Sequence, residues 1–143
     1  MNSQLLTSEF SPTPSKTRAK LILSVDDEPS ILQTREAILL AQGYLVLSAS
    51  DGENALDLFD GHPVIRLVLI DYAMPGMDGA AIAQAMKFRR PSVPIFMITA
   101  YEAALPKSAL TCVDCVISKG TGPFYLLEKI NQLLAPTASR YST

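Results

Sequence analysis

The sequence predicts a doubly wound α/β domain, a five-stranded parallel sheet with helices on both faces. Short apolar runs alternate along the chain with segments of helical period, which implies βα units and hence parallel pairing. The length, 143 residues, suits one well-buried core. Connections between the runs are short, and no internal repeat or low-complexity block competes. Right-handed crossovers then leave few topologies.

The first strand is expected at Leu21–Val25. The helix after it opens at Pro29, whose fixed φ suits a first helical turn, and ends before Gly43. Ile31/Ile38 and Leu32/Leu39, each seven apart, mark its buried face. The second strand is expected at Tyr44–Ala49. Asp51 then caps a helix that buries Leu56 and Phe59. The third strand is expected at Leu67–Ile70, and Asp78 caps a helix that buries Ile82, Ala85 and Met86. The fourth strand is expected at Ile95–Ile98. Pro106 interrupts the segment after Thr99, so the fourth helix should be short or irregular. The fifth strand is expected at Val113–Ile117. The last helix opens at Pro123, repeats Leu127, Ile130 and Leu134 at helical spacing, and stops at Pro136. Residues 1–18 and 136–143 are rich in Ser, Thr and Pro and are expected to be flexible tails, leaving 19–135 as the folded unit.

A net charge of −2 with 18% charged residues offers no broad footprint for nucleic acid. No stretch has the length of a membrane span, and Met1–Ser15 lacks the basic and apolar regions of a signal peptide. A cytoplasmic protein that binds neither membrane nor DNA directly is expected. Cys112 and Cys115 form a C-x-x-C spacing, but no second pair completes a zinc site and no helix start follows directly to activate a thiol. They read as inert packing residues.

In open α/β sheets ligands bind beyond the carboxyl ends of the strands. Here strand one ends in Asp26 and Asp27, strand three in Asp71, strand four in Thr99 and strand five in Lys119. Three carboxylates at one edge repel each other, so either their pKa values rise or a cation sits among them, and oxygen ligands suit Mg²⁺. An ion held by Asp27 and Asp71 leaves positions for water and a phosphoryl oxygen, while Lys119 and the Thr99 hydroxyl reach other oxygens. Asp71 would then act as nucleophile toward a phosphoryl donor and become an aspartyl phosphate. Singly, an Asp is often a cap, a Thr a strand former and a Lys a solvated charge. Jointly, these residues at the functional ends of four strands point to phosphoryl transfer.

The runs Val25-Asp26-Asp27-Glu28, Asp71-Tyr72-Ala73-Met74-Pro75-Gly76-Met77-Asp78-Gly79, Thr99-Ala100 and Ser118-Lys119 resemble the response-regulator receiver domains of two-component systems, across essentially all of 19–135. The 44-residue step from Asp27 to Asp71 and the Asp51-Gly52-Glu53-Asn54-Ala55-Leu56 run are also similar to that family. The resemblance implies a flavodoxin-like sheet of order 2-1-3-4-5. It implies Asp71 as phosphoacceptor, a Mg²⁺ site served by Asp26, Asp27, Asp71 and the Ala73 carbonyl, and Thr99 and Lys119 as phosphoryl contacts. The implied donor is a sensor histidine kinase or histidine phosphotransfer protein, with the receiver catalysing its own phosphorylation and dephosphorylation as a switch and not as an enzyme proper.

Three departures stand out. Gly120 follows Lys119 where the family usually has proline with a cis bond, and a cis non-proline bond costs roughly 2.5–4 kcal/mol. Val116 replaces a usual Tyr or Phe, and Tyr101 is the nearest candidate to substitute for that ring. The stretch from Thr99 to Lys119 is short and holds Pro106. With no DNA-binding or catalytic segment after residue 135, output is expected through contact with a downstream protein. Two alternatives differ in class. One is a phosphorylation-independent pseudo-receiver, motivated by the altered 100–120 region and opposed by intact Asp27, Asp71, Thr99 and Lys119. The other is a haloacid-dehalogenase-type phosphatase, opposed by the missing second acid in Asp71-Tyr72-Ala73.

Overall fold

The computed structural model describes residues 19–76, 78–100, 103 and 105–135. The two expected tails, and Tyr101, lie outside them. The elements run β1 (Leu21–Val25), α1 (Pro29–Ala41), β2 (Leu45–Ala49), α2 (Gly52–Gly61), β3 (Ile65–Asp71), α3 (Gly79–Arg89), β4 (Ile95–Thr99), α4 (Lys107–Leu110), β5 (Cys115–Ser118), a 3₁₀ turn (Lys119–Thr121) and α5 (Gly122–Leu134). The sheet has the expected order β2-β1-β3-β4-β5, and every pairing is parallel.

Alternation along the strands divides the core in two. Leu23, Val25, Val68, Ile70, Ile95 and Met97 face α2, α3 and α4, with Phe59 and Met86 packed among them. Ile22, Leu67, Leu69, Phe96, Ile98 and Ile117 face α1 and α5, meeting Leu39, Ile130 and Leu134. β3 therefore reads as a nearly continuous apolar run, as a strand covered on both faces should. Truncating a fully buried ring such as Phe59 costs about 3–5 kcal/mol.

Local signals set the helix ends. α1 closes in a Schellman turn, with Gly43 N–H donating to Leu40 O (3.0 Å) and Tyr44 N–H to Leu39 O (3.1 Å). Gly43 takes the left-handed conformation this turn needs, at φ +94°. Asp51 and Asp78 cap as expected, accepting from Asn54 N–H (2.7 Å) and Ala81 N–H (2.9 Å). Pro123 lies in the first turn of α5. α4 is a single turn of four residues starting after Pro106, as short as the proline led one to expect.

Some details differ from expectation. Tyr44 precedes β2 and is buried beneath α5, its hydroxyl donating to Asn131 Oδ1 at 2.5 Å. β3 starts earlier and ends later than expected, because Ile65 and Asp71 both pair with neighbouring strands. β5 begins at Cys115, since Asp114 is held at the sheet edge: its N–H donates to Ile95 O and its carboxylate accepts from Ile95 N–H, both at 2.8 Å. On α1, Leu32 and Leu39 are buried, but Ile31 and Ile38 are half-buried because they line a cavity of about 430 Å³ between α1 and α5. Leu56 and Ala85 are likewise half-buried. No cis peptide bond occurs among the described residues. Cys112 and Cys115 are half-buried, Cys112 packed against one core cluster and Cys115 against the other. No helix among the described residues is long and apolar enough to cross a membrane.

Candidate functional site

The parallel sheet delivers the polar strand ends to one edge. Asp26 follows β1 directly, its N–H donating to Ala49 O at 3.1 Å, and its carboxylate is fully buried. Its Oδ1 accepts from Glu28 N–H at 3.0 Å, which turns the chain into α1 and orients the carboxylate. Asp71 closes β3 in register with Ile98 and is also buried. Asp26, Asp27 and Asp71 each present a carboxylate oxygen within 4.8 Å of the others, with Asp27 half-buried at the mouth. Lys119, first residue of the turn after β5, reaches over the end of β4 to place Nζ 3.1 Å from Asp71 Oδ1. Thr99 closes β4 in register with Ser118 and is 5% exposed. Ala73 lies in the exposed loop two residues beyond Asp71. The structure thus brings together the three acids and Lys119, and sets Thr99 at the end of the strand between β3 and β5.

A close approach behind Asp71 holds the edge in place. Gly79 N–H donates to Tyr72 O at 2.7 Å, bringing the start of α3 against the end of β3. A Cβ at Gly79 would lie 2.5 Å from Asp71 O and 2.9 Å from Ile70 Cγ2. Only glycine fits there without a shift.

Burial pushes the Asp71 carboxyl above the usual carboxylate range, with Asp26 and Asp27 adding to the rise. The hydrogen bond and charge of Lys119 oppose it. An acid cluster under this tension is chemically suited to a hard divalent cation, which takes carboxylate oxygens and keeps several waters.

Sequence reasoning missed two members of the neighbourhood. Arg35, on the buried face of α1, points Nη2 to Asp26 Oδ2 at 3.5 Å and donates from Nη1 to Ser24 Oγ at 3.0 Å. Burial lowers its pKa, against the pull of Asp26 and Asp71. A signal was present: Arg35 stands three residues after Leu32 and four before Leu39, a charge in the middle of an apolar stripe. Ser24, fully buried within an otherwise apolar β1, supplies its partner.

The family model for the response regulator receiver domain matches residues 22–131. The chain belongs to the response-regulator receiver family. Among curated relatives, a probable transcriptional regulator ycf27 of Cyanophora paradoxa is 44% identical over 131 residues, covering 87% of this receiver chain and 54% of the relative. The chain spans about half the length, or less, of the curated relatives it matches. Among solved structures, the response regulator protein TrrA of Thermotoga maritima, in complex with Mg²⁺-BeF, is similar at a TM-score of 0.71 and 33% identity. That similarity covers 80% of this receiver and 99% of TrrA. TrrA in complex with the histidine kinase ThkA is similar at a TM-score of 0.74 and 32% identity, covering 81% of this chain and 99% of that one. Residues 22–131 are thus a receiver domain of the two-component type, a signalling module.

Proposed function

We propose that this receiver, taken as residues 19–135, accepts a phosphoryl group on Asp71 from a sensor histidine kinase or histidine phosphotransfer protein and signals through contact with a downstream protein. The single observation that carries the reading is the buried Asp71 carboxylate, set within 4.8 Å of two further acids and 3.1 Å from Lys119. The donor assignment draws support from TrrA, a similar receiver solved with a histidine kinase. The reading carries with it a cytoplasmic location.

Asp26, Asp27 and Asp71, with the Ala73 carbonyl, would hold Mg²⁺. When bound, the ion supplies charge neutralisation for the attacking carboxylate and the transferring phosphoryl oxygens. One Asp71 carboxylate oxygen attacks phosphorus, the bond from phosphorus to the donor histidine nitrogen breaks, and that nitrogen keeps the electron pair. Lys119 Nζ, already at Asp71, neutralises charge that gathers on the phosphoryl oxygens. The Thr99 hydroxyl, at the neighbouring strand end, donates to one of them. Burial of Asp71 keeps bulk water off the acyl phosphate and slows its loss.

The single-turn α4 and Val116 favour a second reading, an interaction module that signals without phosphate. The pairing of Lys119 with Asp71 weighs against it. The discriminating experiment treats the protein with a small phosphoryl donor, with and without Mg²⁺, and reads intact mass. One added phosphate that needs Mg²⁺ supports the phosphoacceptor, and no addition under either condition supports the phosphate-independent module.

A further inference from the structure

Arg35 brings a second fixed cation to the acidic site, where it lines with Lys119 the cavity between α1 and α5. Its guanidinium lies 3.5 Å from Asp26 Oδ2, and Ser24 Oγ accepts its other terminal nitrogen at 3.0 Å. Asp26 and Ser24 are fully buried and Arg35 is 8% exposed, so water screens this charge poorly. A leucine or methionine between Leu32 and Leu39 would fill the same place with no charge to desolvate. Arg35 is not needed to orient Asp26, because Glu28 N–H already fixes that carboxylate at Oδ1. What the guanidinium adds is positive charge beside three acids.

We propose that Arg35 is a built-in counter-cation that weakens the hold of the acidic site on Mg²⁺, so that loading of the ion follows its free concentration. The inference rests on the Mg²⁺ reading above. With all three acids ionised, Lys119 alone would leave two net negative charges for a divalent ion, whereas Lys119 and Arg35 together leave one. A positive charge at fixed short distance repels the incoming ion by Coulomb's law, and its removal strengthens binding. A role limited to orienting Asp26 has the opposite sign: the neutral variant would release the carboxylate and bind Mg²⁺ less well.

Calorimetric Mg²⁺ titration of the wild type, Arg35→Met, Arg35→Lys and Asp27→Ala tests this. Arg35→Met should bind Mg²⁺ on the order of tenfold more tightly, while Arg35→Lys stays near the wild type because the charge is kept. Should Arg35→Met fail to fold by circular dichroism, Arg35→Gln, which retains a donor for Ser24, carries the same expectation. Unchanged or weaker Mg²⁺ binding in the folded neutral variant overturns the proposal. Wild-type binding that persists undiminished in Asp27→Ala overturns the Mg²⁺ site itself, and the proposal with it.

Discussion

Lys119 Nζ stands 3.1 Å from Asp71 Oδ1, across the end of the intervening strand β4. The lysine side chain is 34% exposed and that of Asp71 only 4%, so a solvent-facing cation meets a buried acid. In the proposed phosphoacceptor the lysine supplies positive charge at the attacking oxygen. Lys119→Met should slow labelling by a small phosphoryl donor about a hundredfold. A mass-spectrometric time course checks this, and an unchanged rate would remove Lys119 from the chemistry.

The contact behind Asp71 leads to a prediction about stability. At Gly79→Ala the new Cβ meets backbone at 2.5 Å (Asp71 O) and 2.9 Å (Tyr72 Cα), atoms that cannot rotate away. A loss of about 1–3 kcal/mol is expected in urea unfolding. Gly61→Ala, where nothing lies within 4 Å, serves as the control and should leave the midpoint nearly unmoved.

Tyr44 predicts a pH dependence. Burial pushes its hydroxyl pKa up from the usual value, favouring the neutral form that donates to Asn131. The folded pKa thus exceeds the unfolded one, so the contribution is complete below about pH 10 and is lost as pH rises through the folded value. Tyr44→Phe should lower stability at neutral pH and flatten the alkaline decline. A decline of equal steepness in both proteins would contradict the assignment.

Much of this architecture was legible in the chain because its signals are local. Pro29, Asp51, Asp78 and the Pro106 break each act within a turn, and the polar ends of four strands could be read from where apolar runs stop. Ser24 and Arg35 were not, since each looks ordinary alone and only the packing of α1 on β1 makes them partners. The start of β5 was misplaced for a similar reason. Val113 suits a strand, but Asp114 is tied to Ile95 through contacts 19 residues apart. Half-burial of Ile31 and Ile38 depends on a cavity that forms only when α5 comes to lie beside α1.

The readout of phosphorylation should depart from schemes that turn an aromatic ring on the fifth strand. Val116 is half-buried against the core, and its β-branched side chain has no ring to exchange between positions. Rearrangement is expected in residues 100–110, around the single-turn α4. Hydrogen exchange with and without a beryllofluoride mimic should change protection there. Changes confined to β5, with 100–110 silent, would refute this.

In the proposed function the Asp71 carboxylate is the group that forms the bond to phosphorus. Intact-mass analysis of the wild type and Asp71→Asn, each treated with a small phosphoryl donor and Mg²⁺, tests it most directly. The substituted amide keeps the size and most contacts of the side chain but lacks an ionised oxygen to attack phosphorus. One phosphate on the wild type and none on the variant is the predicted result. Equal labelling of both would contradict it.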